Sequence, residues 1–261
     1  MSQIDIFSLE GRVALISGGG GAIGSALATA LAGAGARVTV VDITDERAEA
    51  AAAKIRETGA EVLALRADVT NEADCERIVA ATVERHGRLD IIVNAVGGGA
   101  GKVLFNAEDY PRDAWDWIME LNVRSTLLAT QAAVRAMIAG GRGGRVLNIS
   151  SVRASLGINA GYSAYVAAKG AVSSLTRQWA TEWAKHNINV NAISPTFVDT
   201  PQVAMLLDDP EFKARLVSRI PLGRVGGTKD LVGAALFFCS DASSFVTGQV
   251  LTIDGGLTAT Q

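Results

Sequence analysis

The chain has 261 residues, 49% hydrophobic and 5% aromatic, with 24 Lys plus Arg against 27 Asp plus Glu for a formal net charge of −3. So apolar a composition excludes intrinsic disorder, and 28 glycines without a three-residue period exclude a collagen-like fibre. The mild acidity argues against nucleic acid or an anionic membrane as the main partner.

Residues 1–6 lack a basic stretch followed by an apolar core, so no secretory signal is expected. No run approaches the roughly 18 apolar residues of a membrane span. Seven short apolar runs follow, at 13–17, 37–41, 62–65, 91–93, 146–149, 188–193 and 250–253. Each is apolar enough to be a strand buried on both faces. Helix-length segments lie between them at 23–34, 45–58, 72–85, 112–138, 165–185 and 229–239, the fourth long enough for two helices. Strand–helix alternation predicts a parallel sheet with helices on both faces. Right-handed crossovers make it doubly wound. The expected fold is α/β: a single doubly wound Rossmann-type domain of about seven strands over 1–261. The irregular stretch 196–227 holds three of the five prolines and is expected to form a substrate lid. Cys75 and Cys239 are expected to be packing residues, which fits a soluble cytoplasmic protein.

The first strand runs into Gly18-Gly19-Gly20-Gly21-Ala22-Ile23-Gly24, which opens directly into a helix. Phosphate binding needs backbone N–H groups at a helix N-terminus with no side chain in the way. Two registers fit, Gly19-x-Gly21-x-x-Gly24 and Gly18-x-x-x-Ala22-x-Gly24. A glycine motif alone is also what a structural turn looks like. The next strand, however, ends in an acid, Asp42, 24 positions after Gly18. A carboxylate there can accept both ribose hydroxyls of NAD and repel a 2′-phosphate. The expected cofactor is therefore NAD rather than NADP, although Arg47 opens the following helix and can swing round. Asp68 either meets the adenine edge or is an N-cap or turn residue. Asn94 and Gly97 end the fourth strand beside the same crevice, or form a turn.

Tyr165 and Lys169 are four residues apart in a predicted helix, which puts phenol and ammonium on one face. A nearby cation favours the phenolate, so the pair can act as acid and base near neutral pH. Ser151 ends the fifth strand on the crevice side, and Asn122 lies midway along the long preceding helix. In this order the pieces resemble the short-chain dehydrogenase/reductase family over essentially the whole chain. The matching motifs are Gly18 to Gly24, Asp68-Val69, Val93-Asn94, Asn122, Asn148-Ile149-Ser150-Ser151, Tyr165/Lys169, Ser194-Pro195 and Thr247-Gly248-Gln249.

The resemblance implies a catalytic Ser151–Tyr165–Lys169–Asn122 tetrad. Tyr165 would exchange a proton with the substrate oxygen, and Ser151 would hold that oxygen. Lys169 would depress the tyrosine pKa and bind the nicotinamide ribose, and Asn122 would hold a water linking Lys169 to solvent. Cofactor contacts are implied for Gly18, Gly21, Ala22, Ile23 and Gly24, for Asp42, Asp68, Val69 and Asn94, and for Pro195, Val198 and Thr200 with Tyr165 and Lys169. Thr200 would meet the nicotinamide carboxamide. The chain departs from the family pattern at Ala22, at Ala95-Val96 and at Thr196. The loop from Ser151 to Tyr165 is one residue longer than common. Tyr162 rivals Tyr165 but has Val166, not lysine, four residues on.

Substrate contacts are expected at Ser151, Tyr165 and Arg153, although Arg153 singly is as well read as a solvated surface charge. Lys102, Arg215, Arg219 and Arg224 are further cations that either approach the pocket or are solvated surface charges; together they raise an anionic substrate. The segments near Tyr165, Thr200 and 241–256 resemble sugar-acid or polyol dehydrogenases of the gluconate 5-dehydrogenase kind. They are also similar to 3-oxoacyl-thioester reductases. Two alternatives follow: an NADPH-dependent ketone or 3-oxoacyl-thioester reductase, and a non-catalytic nucleotide-binding regulatory protein. Two isolated histidines, His86 and His186, give no metal site. Trp179 and Trp183 share a helix face and are expected in the core or a subunit contact. The resemblance also implies a homotetramer.

Overall fold

The structure, a computed structural model, describes residues 5–201 and 203–259. Residues 1–4, part of the stretch read for a targeting signal, lie outside the described residues. Seven parallel strands form one sheet: β1 (Val13–Ser17), β2 (Arg37–Asp42), β3 (Val62–Arg66), β4 (Ile91–Asn94), β5 (Gly144–Ile149), β6 (Ile188–Pro195) and β7 (Val250–Ile253). Their order is β3-β2-β1-β4-β5-β6-β7. The chain starts in the middle, winds outward to β3, and then winds the other way. That reversal opens a crevice beyond the C-terminal ends of β1 and β4.

Alternation along the strands explains the layers. Ala14 and Ile16 face one side, with Val38, Val40, Ile91 and Val93, and pack on α1 (Ala22–Gly33), α2 (Asp45–Arg56) and α9 (Lys229–Cys239). Val13, Leu15, Ile92 and Val146 face the other, and pack on α3 (Glu72–His86), α5 (Ser125–Gly140) and α6 (Ser163–Trp183). Each fully buried Leu or Ile of these layers contributes about 1.5–3 kcal/mol. Trp179 is buried in the second layer, and its ring stacks on Trp183 at 5.2 Å. The expectation that all seven strands are buried on both faces fails at the edges. β3 is only half-buried, and β7 exposes Leu251, because an edge strand lacks a neighbour on one side.

The segment 112–138 is two helices, α4 (Arg112–Met119) and α5, joined by a π turn at Glu120–Arg124. The stretch 196–227, expected to form a lid, is not a bare loop. It carries α7 (Ala204–Leu207) and α8 (Pro210–Val217), the latter capped by Asp209 with Pro210 in its first turn. Leu207, Leu216 and Ile220 form a small core of their own with Leu257 near the C-terminus. Both cysteines are buried, free, and pushed up to about 12 by burial, as packing thiols should be. Among the described residues no helix is long and apolar enough to cross a membrane, and no cluster of His, Cys, Asp and Glu could hold a metal.

A buried polar rung crosses the sheet at its C-terminal end. Ser17 donates to the Asn94 amide oxygen at 3.4 Å. The Asn94 amide nitrogen donates to Asn148 and to Thr130, each at 2.8 Å, and that of Asn148 donates to Thr176 at 2.9 Å.

His86, the last residue of α3, is the buried group with the least support. Its ring lies 3.5 Å from a Glu61 oxygen, and burial holds its pKa below 6.5. The unfolded chain therefore takes up this proton more readily than the native state. The contribution to stability is complete above about pH 6.5 and is lost as pH falls below it. Urea unfolding at pH 7.5 and 5.0 should show a smaller acid loss for His86→Leu than for the unsubstituted chain.

Candidate active site

The glycine turn after β1 is shaped by close approach rather than by flexibility. Gly18 has φ +72°, and a Cβ there would stand 2.8 Å from the backbone of Ala95. A Cβ on Gly24 would run into the Gly18 carbonyl oxygen. Gly18 and Gly24 thus lock the turn against the helix, and Gly19 is as closely packed, against Val40 at 2.8 Å, so both registers keep their glycines for room. Gly21 caps α1 without a side chain, and the first turn carries no acid. The N–H groups of Ala22, Ile23 and Gly24 point off the helix end with no helical acceptor. A pyrophosphate fits that position, the positive end of the helix dipole. The Ala22 methyl is exposed at the rim, so this departure adds a methyl to the rim and leaves the turn intact.

A cleft of about 510 Å³ runs from this turn across the strand ends. Gly21, Ala22, Ile23 and Gly24 line one end, and Ser151, Tyr165 and Lys169 line the base. Pro195, Val198 and Thr200, at and after the end of β6, line another side. Other expected contacts are placed elsewhere. Gly18 supports the turn from behind. Asp68 is exposed, and one oxygen of its carboxylate accepts the N–H and hydroxyl of Thr70 in a local turn, the turn role that the sequence also offered; neither it nor Val69 is among the residues lining this cleft. The Asn94 side chain is spent in the polar rung. Lys102 is exposed away from the wall, and Arg224 makes a two-pronged pair with Asp230 at 2.7 Å.

Asp42 is 5% exposed. It accepts the Gly20 N–H at 3.1 Å and lies 3.3 Å from the Arg47 guanidinium. Arg47, not Asp42, lines the cleft.

The catalytic candidates come together through α6. Its buried stripe of Ala164, Ala168, Val172, Thr176 and Ala180 repeats every four residues, and such small side chains bring the helix close to the sheet. Lys169 on that face reaches the Ile149 carbonyl at 2.9 Å. Burial lowers its pKa to about 8. Its ammonium stands 5.7 Å from the centre of the Tyr165 ring, as the four-residue spacing predicts.

Tyr165 itself is held above its ordinary pKa, chiefly by burial. A hydrogen bond with Ser151 is the largest opposing influence, and the Arg153 charge also lowers it. Ser151 lies within 3.5 Å of the Pro195 carbonyl and accepts the Arg153 N–H at 3.2 Å.

Asn122 sits inside the π turn, fully buried. Such turns are rare and cluster at functional sites. Its amide accepts the Gly98 N–H at 2.9 Å and donates to the Gly98 and Ile118 carbonyls. A Cβ on Gly97 would stand 2.7 Å from the Asn122 oxygen and 3.0 Å from the Lys169 nitrogen. Gly97 therefore lies directly over both residues, and its lack of a side chain keeps them together.

Three features escape the sequence reading or are only grazed by it. Phe197 and Val203, from the stretch 196–227, add apolar side chains to the cleft wall. The hydroxyl of Thr196, where glycine is usual, lines the cleft buried without a hydrogen-bond partner among the described residues. Arg153 is folded inward rather than solvated. The unusual residue at position 196 and the place of Arg153 two residues after Ser151 were the visible signals.

The family model described as enoyl-(acyl carrier protein) reductase matches residues 20–258. The chain is 39% identical over 258 residues to gluconate 5-dehydrogenase of Gluconobacter oxydans (strain 621H), covering 99% of each. It is 37% identical over 253 residues to 5-keto-D-gluconate 5-reductase of Escherichia coli (strain K12), covering 97% of this chain and 98% of the relative. Among solved structures, gluconate 5-dehydrogenase from Burkholderia cenocepacia J2315, in complex with NADP and tartrate, superimposes with a TM-score of 0.91 at 36% identity, covering 99% of each chain.

Proposed function

The chain belongs to the short-chain dehydrogenase/reductase family, oxidoreductases that use a nicotinamide cofactor on CH–OH groups, and from that membership we propose an NAD-dependent enzyme acting on a secondary alcohol or carbonyl of a small sugar acid. One observation carries the reading: Ser151, Tyr165 and Lys169 converge at the base of a cleft whose far end is a bare helix N-terminus. Names of the full-length relatives support the substrate class.

The residues divide the work. The N-terminus of α1 would hold the pyrophosphate, with Lys169, Pro195, Val198 and Thr200 toward the nicotinamide end. Nicotinamide, when bound, supplies the hydride acceptor or donor. Ser151 hydrogen-bonds the reacting oxygen and fixes its distance from the phenol. Tyr165 takes the hydroxyl proton in oxidation and returns it in reduction. Burial keeps the free phenol protonated, so its base form depends on cations drawn up against it. Lys169 supplies one of these, held in place by the Ile149 carbonyl. Asn122 keeps the Gly97–Gly98 backbone in position over Lys169.

The choice of NAD rests on Asp42 at the end of β2, whose negative charge, although buried and engaged by Gly20 and Arg47, would disfavour a 2′-phosphate brought to that strand end. A second reading, NADP, is favoured by Arg47 on the cleft wall and by the NADP in the Burkholderia relative. Calorimetry decides between them. NAD is expected to bind at least tenfold more tightly than NADP, and Asp42→Ala should erase the difference; tighter NADP binding to the unsubstituted chain would sink the Asp42 argument. A homotetramer is supported by apolar side chains left open near the β7 edge, Leu222, Phe245 and Leu251. Two free thiols fit the cytoplasm.

A further inference from the structure

One charged group in the cleft enters the chemistry above only through its influence on Tyr165. Arg153 lies on the short turn Val152–Ala154, which Ser151 opens by accepting its N–H. The turn directs the side chain inward, where it is only 8% exposed and lines the cleft with Tyr162 and Tyr165. One guanidinium nitrogen donates to the Gly157 carbonyl at 3.2 Å. Among the described residues no carboxylate lies within ion-pair distance of it. The other buried arginine is the useful contrast: Arg145, 6% exposed, has Asp241 at 3.3 Å.

A guanidinium offers five N–H donors in a planar fork that matches a carboxylate. Withdrawing its charge from water without a partner is costly. Beyond the Gly157 carbonyl and the neighbouring Tyr162 and Tyr165, the surroundings offer no counter-charge among the described residues. The cleft wall holds Arg47, Arg153 and Lys169 and not one Asp or Glu among the described residues. Arg47 is answered by Asp42, and Lys169 by the Ile149 carbonyl. Arg219 adds repulsion, since its charge reaches Arg153. A buried, acid-free cation beside the reacting position is what an anionic ligand would complete.

We propose that Arg153 is the carboxylate receptor of the site, gripping the acid group of the substrate and making the enzyme choose sugar acids over uncharged polyols. This rests on the functional reading above. It also gives the longer loop between Ser151 and Tyr165 a purpose, because Gly157 in that loop anchors the guanidinium.

The test sets D-gluconate against D-glucitol, its uncharged counterpart, at saturating NAD, in the unsubstituted enzyme, Arg153→Gln and Arg153→Lys. A charged hydrogen-bond pair predicts a loss of about 10–100-fold in the gluconate-over-glucitol ratio of kcat/KM for Arg153→Gln, carried by KM rather than kcat. Arg153→Lys should restore part of it. Tartrate titrated calorimetrically into the enzyme–NADH complex gives a readout free of turnover, and Arg153→Gln should weaken it at least tenfold. A preserved ratio, or an equal fall on both substrates with tartrate affinity intact, overturns the proposal and leaves the enzyme assignment standing. If neither polyol nor acid is oxidised, the functional reading fails, and the tartrate arm still decides whether Arg153 receives a carboxylate.

Discussion

Tyr165→Phe is expected to lower kcat/KM by about 10³-fold or more, the range that loss of a positioned proton carrier commands. The ring stays, so its edge contact with Tyr162 at 6.3 Å and its place above Lys169 are kept. Cofactor affinity should change little. The pH dependence gives the sharper signature. Burial holds the phenol above its usual pKa, so oxidation, which needs the phenolate, should accelerate from pH 7 to 10, while reduction, which needs the phenol, should not. In the variant the residual oxidation should lose that slope. Undiminished turnover would remove Tyr165 from the chemistry and favour the non-catalytic alternative.

Lys169→Met should destroy activity and at the same time stabilise the protein. Lys169 is 3% exposed, and burial lowers its pKa from 10.5 to about 8. Below pH 8 both folded and unfolded chains carry the charge, and the native state bears the full desolvation cost, about 3 kcal/mol. Between pH 8 and 10.5 the folded state sheds the proton first and the cost fades. Methionine keeps the bulk and removes the charge, at the loss of the bond to Ile149, worth about 1 kcal/mol. A net gain of about 2 kcal/mol is therefore expected at pH 7, turning into a loss of up to about 1 kcal/mol near pH 10.5, where only the lost bond remains, read as urea midpoints. A variant less stable than its parent at pH 7 would show that the ammonium is well paired in the fold. Such an exchange of stability for function is common where a site must hold charge away from water.

How much of this was legible depends on the distance over which each feature is encoded. The order of strands and helices came through because both faces of the sheet are buried and periodicity is local. Tyr165 and Lys169 were legible because four residues on a helix fix two side chains without help from the rest of the fold. Asp68 and Asn94 were legible only as alternatives: their place at strand ends is readable, but the partner of each side chain, Thr70 in one case and Asn148 in the other, is not. The π turn around Asn122 escaped because an extra residue in a helical turn leaves no mark in the hydrophobic period. Arg153 was legible as a residue near the pocket but not as a buried one, since charged side chains are exposed by default and only the packed loop turns this one inward. The half-exposure of β3 and β7 follows from sheet order, which alternation alone does not supply.

The rung of Ser17, Asn94 and Asn148 has a consequence for alignment. β1, β4 and β5 pair with Ser17 opposite Asn94 and Asn94 opposite Asn148. Valine, isoleucine and leucine fill both faces of these strands, so a strand sliding along its neighbour would still meet hydrocarbon on either side. The oily pattern does not choose where each strand stops. The amides do. A slip of one residue, ~3.3 Å, turns Asn94 to the opposite face. It would strand several buried polar groups at about 1–3 kcal/mol apiece. The rung thus works as a ruler laid across the sheet. It keeps the glycine turn after β1 and the serine after β5 level with each other, so that two segments more than a hundred residues apart in the chain arrive at a common floor.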